Sequence, residues 1–524
     1  MKKFLTASVF TVILIFSVSC SVEDDLSLPD DEVGSAVDNE TELPDAQIDD
    51  SNEFPDTNNN EPDNTPVPDE SNLQPDDFDE QPDEPVIPTE MLPNNQWGTS
   101  GGDGGKAVRV DSEGSIIVAG IAIGGLDGNL CVKQPDNQCS QDIFVSKWVG
   151  GTRIWTKQWG TDATDVVLDM VLDDEDNIYL TGLTSGSFEG QTCVKTSGGI
   201  CSGDIFVTKL DKNGGHIWTI QWGSDQIDGA SGITLDKEGN IIIAGASRGS
   251  IEDTVNTGGN SCRSVADGFN DSGELPCYDI YVAKISPDGE KLWAKMWGTD
   301  RWDEASAVAV DAENSIYVTG VLGIAQVDGN GKTTAVDVQS YLTKLDADGE
   351  IIWTQQWGTD EDDYALAVAV DNEGNAIVSG KTKGALPDNS HKGEYDIYVI
   401  KFDSDGNMLW TKQYGTDKSE EANRIEIDPT GNIYIGGHSK GSIDGQTNAG
   451  NPLMATEDPF VSKFDSNGTK LWTQLRGGNA RDVAAGMALD SNGTVFLTGE
   501  TYGAFPGTVS IGGRDIFLLY FLNQ

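Results

Sequence analysis

The chain has 524 residues, 62 of them glycine, and sets 87 acidic side chains against only 33 cationic ones, for a formal net charge of -54. That balance excludes nucleic acid, whose phosphates are held by lysine and arginine, and it disfavours anionic membrane surfaces for the same reason. The length admits two or three average domains, but a glycine-rich composition fits one large all-β domain with unstructured additions.

The first residues read as an export signal. Lys2 and Lys3 precede a largely apolar stretch from Phe4 to Phe16, and Ser17, Val18 and Ser19 are small residues where a signal peptidase reads. The stretch is too short to cross a bilayer as a helix. Residues 1–19 are therefore assigned to a signal peptide. The ending at Cys20 resembles the bacterial lipobox, which implies a lipid on Cys20 and a membrane anchor. Ser17 stands where that motif usually has leucine, so secretion without lipid and with the same cut is the alternative. Ser21 after the cysteine is compatible with sorting to an outer membrane.

Residues 20–93 form the second region. From position 21 to about 92 there is no lysine or arginine, and Asp, Glu, Asn and Pro dominate. Such a segment buries too little apolar surface to offset its ordering entropy, so a disordered acidic stalk is expected. Like charges and prolines stretch it beyond the random-coil value of roughly 50 Å for a segment of this length.

Residues 94–524 repeat. A Trp-Gly-Thr anchor recurs at Trp97, Trp159, Trp222, Trp297 and Trp357, with Ser224 once replacing threonine, and in altered form at Tyr414 and Arg476. A second tryptophan lies four residues before most anchors, at Trp155, Trp218, Trp293, Trp353, Trp410 and Trp472. The period of two in a strand puts both on one sheet face, so these rings are read as packing between repeats. Each unit reads as four strands: a small-and-branched run ending in Asp, a β-rich run after a Gly or Asn turn, a third strand such as Asp204 to Lys209, and the tryptophan strand after an Asp-x-x-Gly turn. The third strand occurs seven times, beginning near Asp142, Asp204, Asp279, Gln339, Asp396, Asp458 and Asp515. The last unit stops after it, whereas the region opens with an orphan tryptophan strand. Pairing the two completes a seventh sheet and removes an exposed edge, which predicts an all-β, seven-bladed propeller of four-stranded blades.

Seven cysteines leave one over, and Cys20 is the odd one by position. Cys131 with Cys139, Cys193 with Cys201, and Cys262 with Cys277 each fall in the same loop of one repeat, so three local disulfides in an oxidising compartment are expected. No Cys-x-x-Cys spacing supports zinc, and the histidines His216, His391 and His438 are scattered. No metal and no cofactor is predicted. Turns such as Asp403 to Gly406 and Asp371 to Gly374 offer fewer oxygens than calcium takes, and turn chemistry accounts for them, with a structural calcium as the alternative.

The unit Gln356 to Asp360, followed by Ala367 to Asp371, Gly374-Asn375 and Asp396 to Lys401, is similar to the bacterial β-propeller repeat called SBBP. The resemblance covers Gln96 to Gln524 and implies an envelope or secreted propeller, frequently a lipoprotein, with a binding or scaffold role.

Two kinds of loop emerge on one propeller face, and candidate binding residues fall there. The loop entering each blade carries an acid at a fixed offset: Asp103, Asp165, Asp228, Asp303, Asp363, Glu420 and Asp482. These acids either circle the channel mouth, where a cation or cationic partner would meet them, or fix each turn by accepting backbone amides. Trp302 and Tyr364 add aromatic rings beside two of them, suited either to stacking on a sugar or peptide or to packing between loops. No catalytic set is recognisable. The expected function is a monomeric binding scaffold in the cell envelope engaging a protein or glycan. The alternatives are a glycan hydrolase or lyase using the top-face acids, and a structural envelope component without a specific ligand.

Overall fold

A computed structural model describes residues 95–134, 137–196, 198–257, 277–327, 333–450 and 456–523. The expected signal peptide, Cys20 and the acidic stalk lie outside them, as does Cys262. Among the described residues no helix is long and apolar enough to cross a membrane.

Seven four-stranded antiparallel sheets make up the domain. Blade one comprises Gly104–Val110, Ile116–Ala122, Asp142–Val149 and Thr152–Trp159, paired in that order. The first strand of every blade contacts the first strands of both neighbouring blades, so these seven strands line the axis of a closed ring. Blade seven is built from Asp482–Leu489, Val495–Thr501, Asp515–Phe521 and the N-terminal Asn95–Trp97. Gln96 lies opposite Phe517 and Trp97 opposite Ile516. The two ends of the domain thus complete one sheet, and the seven-bladed propeller predicted from the repeats is the fold.

Burial follows position in the blade. Second strands such as Ile241–Ser247 are buried throughout, because both faces of each sheet are covered by neighbouring blades, and this accounts for their unbroken apolar runs. Fourth strands form the outer edge and stay partly exposed, as in Thr152–Trp159. The anchor tryptophans pack between blades: Trp159 and Trp155 lie against the cluster that joins blades one and two, and Trp97 meets Trp148 at 4.8 Å.

Hydrogen bonds and a recurring ion pair hold the Asp-Gly turns. Asp371 accepts the amides of Glu373 and Asn375 and pairs with Lys401 at 2.8 Å. Lys147 with Asp111 and Lys284 with Asp236 repeat the ion pair at the same distance, so the lysine closing the third strand and the aspartate closing the first answer each other. Gly374 takes a positive φ of 78°, which a side chain would strain. Blade four departs from the expected layout. Its third strand begins at Thr333, ahead of Gln339, because Ala335 to Val338 pair with Gly323 to Gln326 and lengthen the hairpin.

Candidate functional site

The seven repeated acids are buried at the end of each blade where both kinds of loop emerge. Asp103, Asp165, Asp228, Asp303, Asp363 and Asp482 are fully inaccessible and Glu420 is 1% exposed. Each accepts the backbone amide four residues earlier, from Thr99, Thr161, Ser224, Thr299, Thr359, Thr416 and Gly478 respectively. Hydroxyls at the end of the second strand join in, Thr184 donating to Asp165 and Ser439 to Glu420. The carboxyl groups are turned into their own turns, which is the turn-fixing reading of the repeat.

A second acid completes the clasp. In six of the blades an aspartate of the third strand faces the same point, Gln339 standing there in blade four: a side chain at Gly160 would lie 2.6 Å from Asp165 Oδ2 and 2.9 Å from Asp142 Oδ1. Gly223, Gly298 and Gly415 stand between equivalent pairs, which is why glycine follows the anchor ring. Asp142 also accepts from Val132 in the variable loop and from Gln158 Nε2, and Gln158 reaches on to Gly124 and Leu126. The Gln-Trp-Gly-Thr motif is therefore a hydrogen-bonded clasp between the two loops. Burial in the presence of a second carboxyl pushes Asp165, Asp228 and Asp303 up to about 7 and Asp482 to about 6.

Trp302 is half-buried in an apolar cluster across blades one to four, with Ile121, Val166, Leu183, Ala246 and Tyr278. Tyr364 is buried in a separate cluster and meets Tyr395 edge-on at 6.2 Å. The two aromatics are not brought together. Among the described residues no group of three or more His, Cys, Asp or Glu side chains could hold a metal ion.

One polar set that the repeat does not account for gathers in blades five to seven, at the same end of the ring. The residue after the clasp acid is Glu421 in blade six, paired across strands with His438. Lys381 of blade five donates to Glu421 at 2.7 Å and lies over the rings of Tyr364 and Tyr395. Arg481 meets Glu457 at 3.1 Å and approaches Glu500, which Arg514 holds at 2.9 Å. Glu421, His438, Glu457 and Glu500 are each less than a tenth exposed. Burial lowers the His438 imidazole below its usual range, and it sits within the fields of Glu421, Glu457, Arg481 and Lys381. Glu457 is held below the usual carboxylate range by Arg481 and His438 despite its burial. Two buried atoms in this crescent, His438 Nδ1 and Glu421 Oε1, have no hydrogen-bond partner.

Sequence reading missed this set because its members do not recur. The signal lies in the exceptions: position by position after the clasp acid, the blades carry Gly104, Val166, Gly229, Glu304, Tyr364, Glu421 and Val483. A similar exception occurs on the axis, where Gly232, Ala307, Ala367 and Gly486 of four blades correspond to Asp169 and Arg424. Asp169 pairs with Arg109 at 3.1 Å, and Arg424 and Glu426 lie within the same electrostatic cluster.

No protein-family model matches the chain. The regulatory protein FlaEY of Caulobacter vibrioides is 29% identical over 173 residues, covering 32% of this chain and 17% of that protein. An uncharacterized WD repeat-containing protein of Acanthamoeba polyphaga mimivirus is 22% identical over 494 residues, covering 75% of this chain and 35% of its own length. The chain thus spans about a third or less of these curated relatives. Among solved structures, the WD40 domain of Pan2 from Neurospora crassa aligns at 12% identity and a TM-score of 0.41, covering 82% of this chain and 96% of that one. The propeller of the trilobed protease from Pyrococcus furiosus aligns at 9% identity and 0.39, covering 79% and 92%. The seven-bladed assignment rests on the sheet order and not on these likenesses.

Cys131 and Cys139 are disulfide-bonded, as are Cys193 and Cys201, with Cα separations of 5.5 and 5.6 Å. Cys277 is also disulfide-bonded, while its expected partner Cys262 lies outside the described residues. Local disulfides of this kind belong to an oxidising compartment.

Proposed function

We propose that this chain is an SBBP-type cell-envelope lipoprotein, cut before Cys20 and anchored by lipid on that residue in an outer membrane, whose propeller binds a partner through the loop-bearing face. The observation that carries the binding role is the crescent of Lys381, Glu421, His438, Glu457, Arg481, Glu500 and Arg514. It is a polar set that the repeat does not need, placed where both loops emerge. The disulfides and the export signal fit the compartment. A hydrolase or lyase reading would draw its acid and base from Glu421, Glu457 and Glu500, because the clasp acids are committed to their turns.

Two measurements test the proposal. The mass of the mature N-terminal peptide is expected to show a lipid-modified Cys20, and an unmodified cysteine there removes the anchor. Purified mature chain is expected to retain a component from outer-membrane extract or envelope polysaccharide, and to lose it when loop-face side chains are changed. Retention of nothing above background would leave a structural component in place of a scaffold.

A further inference from the structure

Resting on that scaffold reading, we infer that the crescent in blades five to seven is a recognition site for an uncharged, hydroxyl-rich sugar residue of a glycan. Three properties point to that chemistry.

The first is charge. Three cations, Lys381, Arg481 and Arg514, stand against three carboxylates, Glu421, Glu457 and Glu500, and each cation is matched to a carboxylate at 2.7 to 3.1 Å. An anionic ligand would compete with those carboxylates for their cations and a cationic one would compete for the carboxylates, so either must break an ion pair that burial makes costly to break. A neutral ligand keeps all three.

The second is the arrangement of donors and acceptors. Paired guanidinium and carboxylate groups offer N–H donors and oxygen acceptors side by side, which is what neighbouring sugar hydroxyls, each donor and acceptor at once, can satisfy together. His438 Nδ1 and Glu421 Oε1 are unpartnered although His438 and Glu421 are each 5% exposed. Buried polar atoms are normally bonded, because leaving one bare costs about 1–3 kcal/mol. His438 is paired with Glu421 across the strands, and its imidazole feels Glu421, Glu457, Arg481 and Lys381 together.

The third is an apolar flank. Tyr395, half-buried and backed by the buried Tyr364, adjoins the crescent through Lys381, which lies 4.9 Å from its ring centre. Sugar rings present an apolar C–H face beside their hydroxyls, and aromatic side chains accommodate that face.

Full-length mature chain on an array of neutral hexose and N-acetylhexosamine oligosaccharides, their uronate counterparts and glucosamine oligomers is the test. Neutral glycans are expected to bind, with uronates and glucosamine oligomers at least tenfold weaker. Glu421→Gln and His438→Gln are expected to weaken neutral-glycan binding tenfold or more, while Glu313→Gln on a distant turn leaves it unchanged. Should either crescent variant misfold, hydrogen exchange on the unaltered chain with and without the bound neutral oligosaccharide still decides the matter: slowed exchange is expected in the strands holding Glu421 and His438. Preference for uronates, or neutral-glycan binding with no protection in those strands, overturns the inference. Capture of a protein partner from envelope extract with no glycan bound overturns it too but leaves the scaffold reading standing. Failure of the chain to bind any glycan or protein removes both.

Discussion

Replacing Asp165 by asparagine tests the clasp through its pH dependence. Asp165 is inaccessible, and burial together with the nearby Asp142 carboxyl raises it from 3.8 to about 7. A carboxyl whose pKa is higher folded than unfolded binds its proton more tightly in the native state. Its stabilising contribution is full below about pH 4 and is lost as pH rises through about 7. Each pH unit of difference is worth about 1.4 kcal/mol, so the native state gives up as much as about 4 kcal/mol at this one site between pH 4 and 8. Asparagine keeps an oxygen to accept from Thr161 and Thr184 and turns N–H donors towards Asp142 Oδ1. At the junction of blades four and five an amide side chain already replaces one acid of the pair, Gln339 standing beside Asp363. Urea unfolding of the wild type and Asp165→Asn at pH 5 and pH 8.5 is the assay. At pH 5 the variant is expected to be less stable by about 1 kcal/mol through its weaker acceptor, and at pH 8.5, where the wild type has given up about 2.7 kcal/mol more, it is expected to be more stable by about 1.5–2 kcal/mol. A variant equally destabilised at both pH values would show that the carboxylate is held charged without cost and would refute the reasoning.

Other consequences follow from the same geometry. Gly160→Ala places a methyl carbon within 3 Å of both clasp carboxyls, and a loss of about 2–3 kcal/mol in denaturant unfolding is expected. Trp97→Ala removes a ring that is 5% exposed and packed on Trp148 in the closing strand; a loss of about 3–5 kcal/mol is expected, together with concentration-dependent aggregation as the edge of Asp515–Phe521 opens, both seen by calorimetry and light scattering. The disulfides close no long loop, since Cys131 and Cys139 are only 8 residues apart. Each bond is therefore worth about 2.5 kcal/mol or less. Limited proteolysis after reduction should cut inside those loops and leave the ring intact.

The fold was legible because its determinants recur. A tryptophan, a glycine, a threonine and an acid at fixed offsets carry one local geometry seven times, and the unequal ends of the repeat region announced the closure that Gln96 and Phe517 make. The same regularity made the acids conspicuous as candidate ligands, although their regularity reflects a structural role. Asp103 and its equivalents recur because every blade needs a turn that accepts the same amide. Blade four escaped the reading of its second loop because strand-forming residues such as Val336 and Val338 continue the hairpin where a loop was expected.

Glu421, His438, Glu457 and Arg481 are far apart in sequence and occupy no shared offset, so only the ring brings them together. Each breaks a local rule that its counterparts obey. Position 421 has glycine or valine as its equivalent in four of the other blades, and His438 aligns with Ile121, Leu183, Ala246 and Val321 on the other second strands. Burying an ion-pair network at sites where small or apolar residues suffice costs desolvation without improving the fold, since apolar side chains of similar size generally serve stability as well or better. A propeller selected for stability alone would have kept the apolar residues, as blades one to three do. The crescent lies in adjacent blades at the end of the ring where the loops emerge, which is where departures from a structural repeat are free to serve recognition.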